Sequence, residues 1–292
     1  MTAIAVVGVG AIGGVVAASL AALERDFLLC VRQPFDELVV QTPRGILKAR
    51  PQVATSVEGL RPVPWVLLAT KAHQTAGAGA WLSALADRGT TVAILQNGVE
   101  HEQRVRPYAR DATLLPVVVE CRAAKRAPGQ VIQRAEATLT VPDNPAGHAF
   151  ADLFAGGDIA VHLTTDFRTA AWRKLCLNVA GGAITALTDR TLEVMRQPGV
   201  ARLARDLVLE CVAVGRAAGA ILDEGLADEI VTSMIEGPGD AGTSLLADRR
   251  AGRPLEVDAR NGAVVRIGKQ HGIATPLNRA ITTLLAALNQ ET

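Results

Sequence analysis

The chain has 292 residues, 49% of them apolar, enough for two domains or one large one with a substantial core. Its 30 basic and 29 acidic residues nearly cancel and form no long block of one sign. That balance argues against a nucleic-acid surface but suits a small anionic ligand held by local dipoles. Four scattered cysteines (Cys30, Cys121, Cys176, Cys211) include no C-x-x-C pair, and the five histidines show no H-E-x-x-H spacing. Buried free thiols in a reducing compartment and no metal are expected.

The apolar run Ala3–Val7 predicts a strand. Gly8-Val9-Gly10-Ala11-Ile12-Gly13 follows directly, at the head of a helix-like run, Ala11–Leu23. This is a G-x-G-x-x-G fingerprint in the strand-turn-helix context that a dinucleotide site requires. The first glycine permits the tight turn, the second lets backbone approach a pyrophosphate, and the third lets helix pack on strand. The phosphates would meet free N–H groups at the helix N-terminus. The apolar stretch to Leu23 imitates a signal peptide or membrane span. It has no basic leader, and its glycines fall on the fingerprint, so a cytoplasmic protein without membrane attachment is expected.

Further strands are predicted at Phe27–Val31, Trp65–Ala69, Val92–Leu95 and Leu114–Val119, with helices at Gln74–Ala86 and Val99–Arg106. The alternation implies a doubly wound, mostly parallel sheet with its ligand crevice beyond the carboxyl ends of the strands. Arg32 follows the second strand, where an arginine accommodates the 2′-phosphate of NADP and an acid would favour NAD. Lys71 stands where a helix should begin, an unfavourable place for a cation unless an anion is near. Asn97, in Gln96-Asn97-Gly98, follows another strand and also suits a simple Asn-Gly turn. Pro128-Gly129 and Pro142 punctuate a hairpin-like excursion over Gln130–Val141. A helix near Ala146–Phe154 and a strand Ile159–Leu163 close this half.

From Phe167 the period becomes helical, with candidates at 167–186, 198–219, 224–235, 243–250, 255–271 and 277–289. The sequence therefore divides into residues 1–165, a nucleotide-binding domain, and 166–292, a helical domain that completes a substrate cleft. Lys174 and Asn178 are four apart and share a helix face whose next rung is Gly182. Leu175 and Val179 form the adjacent apolar face. Desolvation beside apolar surface makes a lysine a better acid near neutral pH, although a snorkelling lysine gives the same pattern. Ser244 suits a helix cap and Glu256 the first turn of a helix starting at 255. His73, His101 and His271 are cleft candidates, but a lone histidine is more often satisfied or solvated.

Together these segments resemble the ketopantoate reductase family over nearly the whole chain. The match comprises Gly8 to Gly13, Thr70-Lys71-Ala72-His73-Gln74, Gln96-Asn97-Gly98, Trp172-Arg173-Lys174-Leu175, Asn178, Thr185-Ala186-Leu187, Ser244 and Leu255-Glu256-Val257-Asp258. Asn261-Gly262 and His271-Gly272-Ile273 extend it. The resemblance implies a Rossmann-type domain followed by an all-helical one, and NADPH-dependent reduction of a 2-keto acid to the 2-hydroxy acid, as in pantothenate biosynthesis. It implies Lys174 as general acid and Glu256 as the residue orienting the site and the substrate hydroxyl. Asn97, Asn178 and Ser244 would hold the polar ends of the substrate. Arg32 and Lys71 would serve the cofactor, with Gln74 near it. A homodimer is compatible with the helical half.

One segment departs from the family. Members acting on ketopantoate usually carry asparagine on the third rung, where this chain has Gly182 within Ala180-Gly181-Gly182-Ala183-Ile184. Each helical glycine is worth about 1 kcal/mol less than alanine. The pair therefore signals close packing, a local kink or room for a larger substrate. Two other readings stay open: a two-domain dehydrogenase of the β-hydroxyacid or glycerol-phosphate type, and a non-catalytic NADPH-binding regulator.

Overall fold

In the computed structural model, which describes residues 3–289, every residue of β1 (Ile4–Val7) is buried. Ile4 and Val6 pack into one apolar cluster, and Ala5 and Val7 into a second on the opposite face. A strand buried on both faces needs helices on both sides, which is the condition of a parallel sheet. The fingerprint turn leads into α1 (Ala11–Ala22), then β2 (Phe27–Cys30). An excursion follows, with a hairpin of β3 (Leu38–Thr42) and β4 (Gly45–Ala49) and a short β5 (Gln52–Ala54). Next come β6 (Trp65–Leu68), α2 (Gly79–Leu85), β7 (Thr91–Ile94), α3 (His101–Val105) and β8 (Thr113–Pro116). The main sheet is six-stranded and parallel throughout, in the order β5-β2-β1-β6-β7-β8. The chain winds outward from β1 in one direction and then, from β6, in the other. The topological switch point therefore lies between β1 and β6, the place where such sheets bind ligands.

The structure corrects several sequence expectations in this unit. The run Leu114–Val119 is broken at Val117, so β9 (Val118–Glu120) leaves the main sheet. It joins β12 (Ala137–Pro142) and β13 (Ile159–Thr164) in a separate sheet. The expected excursion is a hairpin of β10 (Ala123–Ala127) and β11 (Gln130–Gln133), turning at Pro128-Gly129, where Gly129 has φ +71°. β11 adds in parallel to β3, which the sequence reading missed together with β4 and β5. The helix expected from Gln74 is two 3-10 turns, Ala72–Gln74 and Ala76–Ala78, before α2 proper begins at Gly79. Between β12 and β13, α4 (Pro145–Phe154) is capped by Asn144, whose side chain accepts from the Gly147 N–H at 2.8 Å.

The chain forms two compact units that divide between Phe167 and Arg168. The second is helical: α5 (Phe167–Thr188), α6 (Pro198–Ala217), α7 (Gly225–Glu236), α8 (Ser244–Arg250), α9 (Asn261–Gln270) and α10 (Pro276–Leu288). The helix expected over 255–271, which would have carried Glu256, starts only at Asn261; residues 253–256 are irregular and 257–260 form a turn. A dipole role for Glu256 in a first turn is thereby removed. A buried polar chain crosses this unit. Asn261 Nδ2 donates to the Val179 carbonyl of α5 and to Asn278 Oδ1, both at 3.0 Å. Asn278 Nδ2 in turn donates to Glu210 Oε2 at 2.8 Å.

Three cysteines are buried, Cys121 is half-buried, and all four are free. Burial pushes the Cys30 thiol up to about 12 and also raises Cys211, so both stay protonated and inert. No helix among the described residues is long and apolar enough to cross a membrane.

Candidate active site

In the first unit the carboxyl edge of the sheet gathers, in spatial order, Arg32 after β2, the fingerprint after β1, Lys71 after β6 and Asn97 after β7. Two of the three expected tasks, the tight turn at Gly8 and the close helix packing at Gly13, are visible in the geometry. Gly8 has φ +93°, and its N–H donates to the Cys30 carbonyl at 3.1 Å. A Cβ on Gly13 would sit 2.0 Å from the Gly8 carbonyl oxygen, so helix and turn touch only without a side chain. A Cβ on Gly10 would meet nothing within 4 Å. Gly10 therefore guards open space in front of the first turn of α1, and no side chain caps that turn among the described residues. An uncapped N-terminus behind open space fits a pyrophosphate, so the residues present suit a dinucleotide.

The two loops that follow β6 and β7 are tied together by Gln96, which is 5% exposed. Its Nε2 donates to Thr70 Oγ1 and to Thr75 Oγ1, each at 3.0 Å. Its backbone carbonyl receives His101 Nε2 at 2.9 Å. Burial holds the His101 imidazole down to about 4. The ring is thus neutral at neutral pH and donates from Nε2, a satisfied histidine rather than a reactive one. Lys71 and Asn97 are half-buried and Arg32 is exposed. Gln74 does not face outward alone. Its Oε1 accepts from the Lys71 N–H at 3.4 Å and steadies the turn that carries Lys71. His73 and His271 are exposed.

In the second unit, Lys174 and Asn178 lie half-buried on α5, beside Leu175 and Val179, which are 1% and 0% exposed. Ser244 opens α8, but Thr243 is the cap, accepting from the Leu246 N–H at 3.2 Å. Thr243 also bonds Thr185 of α5 at 2.7 Å, which fixes the start of α8 against the Lys174 helix. The hydroxyl of Ser244 is left for another purpose: it accepts from Arg260 Nη2 at 2.8 Å. The same nitrogen lies 3.3 Å from Glu256 Oε2, and both members of this ion pair are at most 2% exposed. Sequence reasoning missed Arg260. The available signal was its position four residues after Glu256, the spacing of a helical ion pair.

Arg260 also accounts for Gly182. A Cβ at Gly182 would stand 3.0 Å from Arg260 Nη1, and one at Gly181 would stand 2.9 Å from Met234 Cε. α5 runs unbroken through both glycines. Both glycines are thus closely packed, and the helix is not broken at them.

A family model described as ketopantoate reductase PanE/ApbA matches residues 4–146, and one for the C-terminal part of the same family matches residues 166–289. A 2-dehydropantoate 2-reductase of Caulobacter vibrioides is 47% identical over 98% of this chain and 99% of its own. One of Mycobacterium tuberculosis is 42% identical over 98% and 97%. Among solved structures, a PanE/ApbA family ketopantoate reductase from Ralstonia eutropha superposes with a TM-score of 0.91 at 27% identity, covering 99% of each chain. A dimeric ketopantoate reductase from Staphylococcus aureus gives 0.88 at 27%, with the same coverage. Both halves of the sequence, and the fold they build, thus place this chain in the ketopantoate reductase family of oxidoreductases.

Proposed function

We propose that this chain reduces a 2-keto acid, 2-dehydropantoate or a close relative, to the 2-hydroxy acid with NADPH. The observation that carries this reading is the pairing of two half-sites on one chain. One is an open, uncapped glycine turn in the first unit. The other is a half-buried lysine face with a fixed carboxylate and hydroxyl in the second. NADPH, when bound, supplies the hydride for the keto carbon. The first unit is the cofactor domain: the backbone from Gly8 to Gly13 takes the pyrophosphate, and Arg32 and Lys71 offer charge to the phosphates. The second is the substrate and catalytic domain. Lys174 delivers the proton to the carbonyl oxygen, and its charge stabilises the alkoxide as it develops. Glu256 accepts from a substrate hydroxyl, and Asn97, Asn178 and Ser244 hold the polar ends. We place the protein in the cytoplasm as a homodimer, in keeping with the dimeric relative.

Lys174→Ala tests the chemistry. Turnover is expected to fall about 100- to 10,000-fold, the usual span for a lost general acid, with NADPH affinity nearly unchanged. Unchanged turnover would remove Lys174 from the mechanism.

A further inference from the structure

We propose that Arg260 is a positioning residue that sets the hydrogen-bond polarity of the substrate pocket, and that Gly182 exists to admit it. The proposal rests on the keto-acid reading above and names what selects the substrate within it.

A guanidinium only donates hydrogen bonds. By donating to Ser244 Oγ, Arg260 occupies an acceptor site there and leaves the serine O–H to be given elsewhere. By pairing with Glu256, it holds a buried group as a carboxylate, which only accepts. One cation therefore biases Ser244 toward donating and Glu256 toward accepting. A ligand matching that polarity presents an acceptor at one end and a donor at the other. A 2-keto acid with a further hydroxyl group has both.

The arrangement has no clear stability rationale. A buried ion pair is often no better than apolar packing of the same volume. Moreover, the buried Arg260 Nε has no hydrogen-bond partner among the described residues. A side chain at position 182 competes for the same volume, since even its Cβ would stand 3.0 Å from Nη1. Arg260 cannot retreat easily, being 1% exposed and held by two partners. An asparagine at position 182 and Arg260 would thus be alternative solutions. An asparagine amide both donates and accepts. Arginine removes that ambiguity.

The test compares kcat and KM for 2-dehydropantoate and for 3,3-dimethyl-2-oxobutanoate, the same acid without its hydroxyl. Arg260→Met should lower the ratio of kcat/KM between the two acids at least about tenfold, mainly through KM for the hydroxylated acid. Arg260→Lys, which keeps the charge but not the fork, should recover part of the ratio. The double variant Gly182→Asn with Arg260→Met should return the ratio to within about threefold of the parent, because the two sites are coupled. An unchanged ratio in Arg260→Met, with NADPH affinity intact, overturns the proposal. Melting curves give a second reading that needs no turnover. Gly182→Asn should lower Tm by several degrees beside Arg260 and much less beside Met at 260; equal losses would overturn the pairing. A parent protein that reduces neither acid would instead refute the functional reading above, while the melting curves would still decide whether Gly182 makes room for Arg260.

Discussion

In the first unit the groups we propose for the cofactor are mostly main chain: the turn Gly8 to Gly13 and the first N–H groups of α1, with open space ahead of Gly10. In the second unit those we propose for the substrate are side chains whose positions depend on one another. Ser244 and Glu256 meet through Arg260, and Arg260 fits because position 182 carries no side chain. Main-chain recognition is written in consecutive residues, because each glycine acts on its immediate neighbours. Side-chain recognition is assembled from residues far apart in sequence, so its members are individually ordinary.

That contrast can be tested first at a buried titratable group of the first unit. The loop edge of the first unit leans on a buried neutral histidine. Because the folded His101 sits near 4 and the unfolded one near 6.5, the unfolded chain binds the extra proton between these values. The associated stability is complete above the unfolded value and is lost as pH falls toward the folded one, on the order of 3 kcal/mol in all. Urea unfolding of the parent and of His101→Gln at a series of pH values should show the difference between them shrinking on acidification. A pH-independent difference would mean that the ring is not held neutral.

A second contrast lies within the fingerprint itself. Gly13→Ala drives a methyl group into the Gly8 carbonyl and should destabilise the chain by about 1–3 kcal/mol, as overpacking does. Gly10→Ala meets no protein atom within 4 Å. It should leave Tm nearly unchanged yet weaken NADPH binding about tenfold, or about 1.4 kcal/mol. Isothermal titration alongside thermal melts separates the two. If Gly10→Ala melted early and bound normally, the open space would have nothing to do with a cofactor.

The smallest expected effect belongs to the exposed Arg32. Arg32→Ala should weaken NADPH severalfold to about tenfold and leave NADH nearly unaffected, since one charge-assisted contact is removed. Equal losses for both nucleotides would show that Arg32 does not read the 2′-phosphate.

The legibility of the sequence follows the same division. Strands such as Ile4–Val7 and Trp65–Leu68 were apparent because burial on both faces demands continuous apolar runs. Gln52–Ala54 was not, because an edge strand of three part-exposed residues needs no such run. Leu38–Thr42 alternates buried and exposed positions, but Pro34 and the charges before it masked the period. The helix expected from Gln74 starts late. Its first residue, Gly79, lies where a Cβ would stand 2.6 Å from the Tyr108 ring, a tertiary contact that local periodicity does not reveal. Lys174 and Asn178 were visible as a helical face. Arg260 was not, because an arginine before a helix looks like a surface residue until Glu256, Ser244 and Gly182 are seen around it.

The bond from Asn261 to the Val179 carbonyl has a mechanical meaning of its own. A helix held only by apolar contacts can turn about its axis at little expense, and advancing one residue swings a side chain by about 100°. An external donor fastened to a mid-helix carbonyl works as an indexing pin. Val179 lies between Asn178 and Gly182, and the pin is anchored through Asn278 to Glu210 on α6. The azimuth of Lys174 is thus restrained by a residue 87 positions later in the chain, together with the Thr243–Thr185 bond further along the same helix.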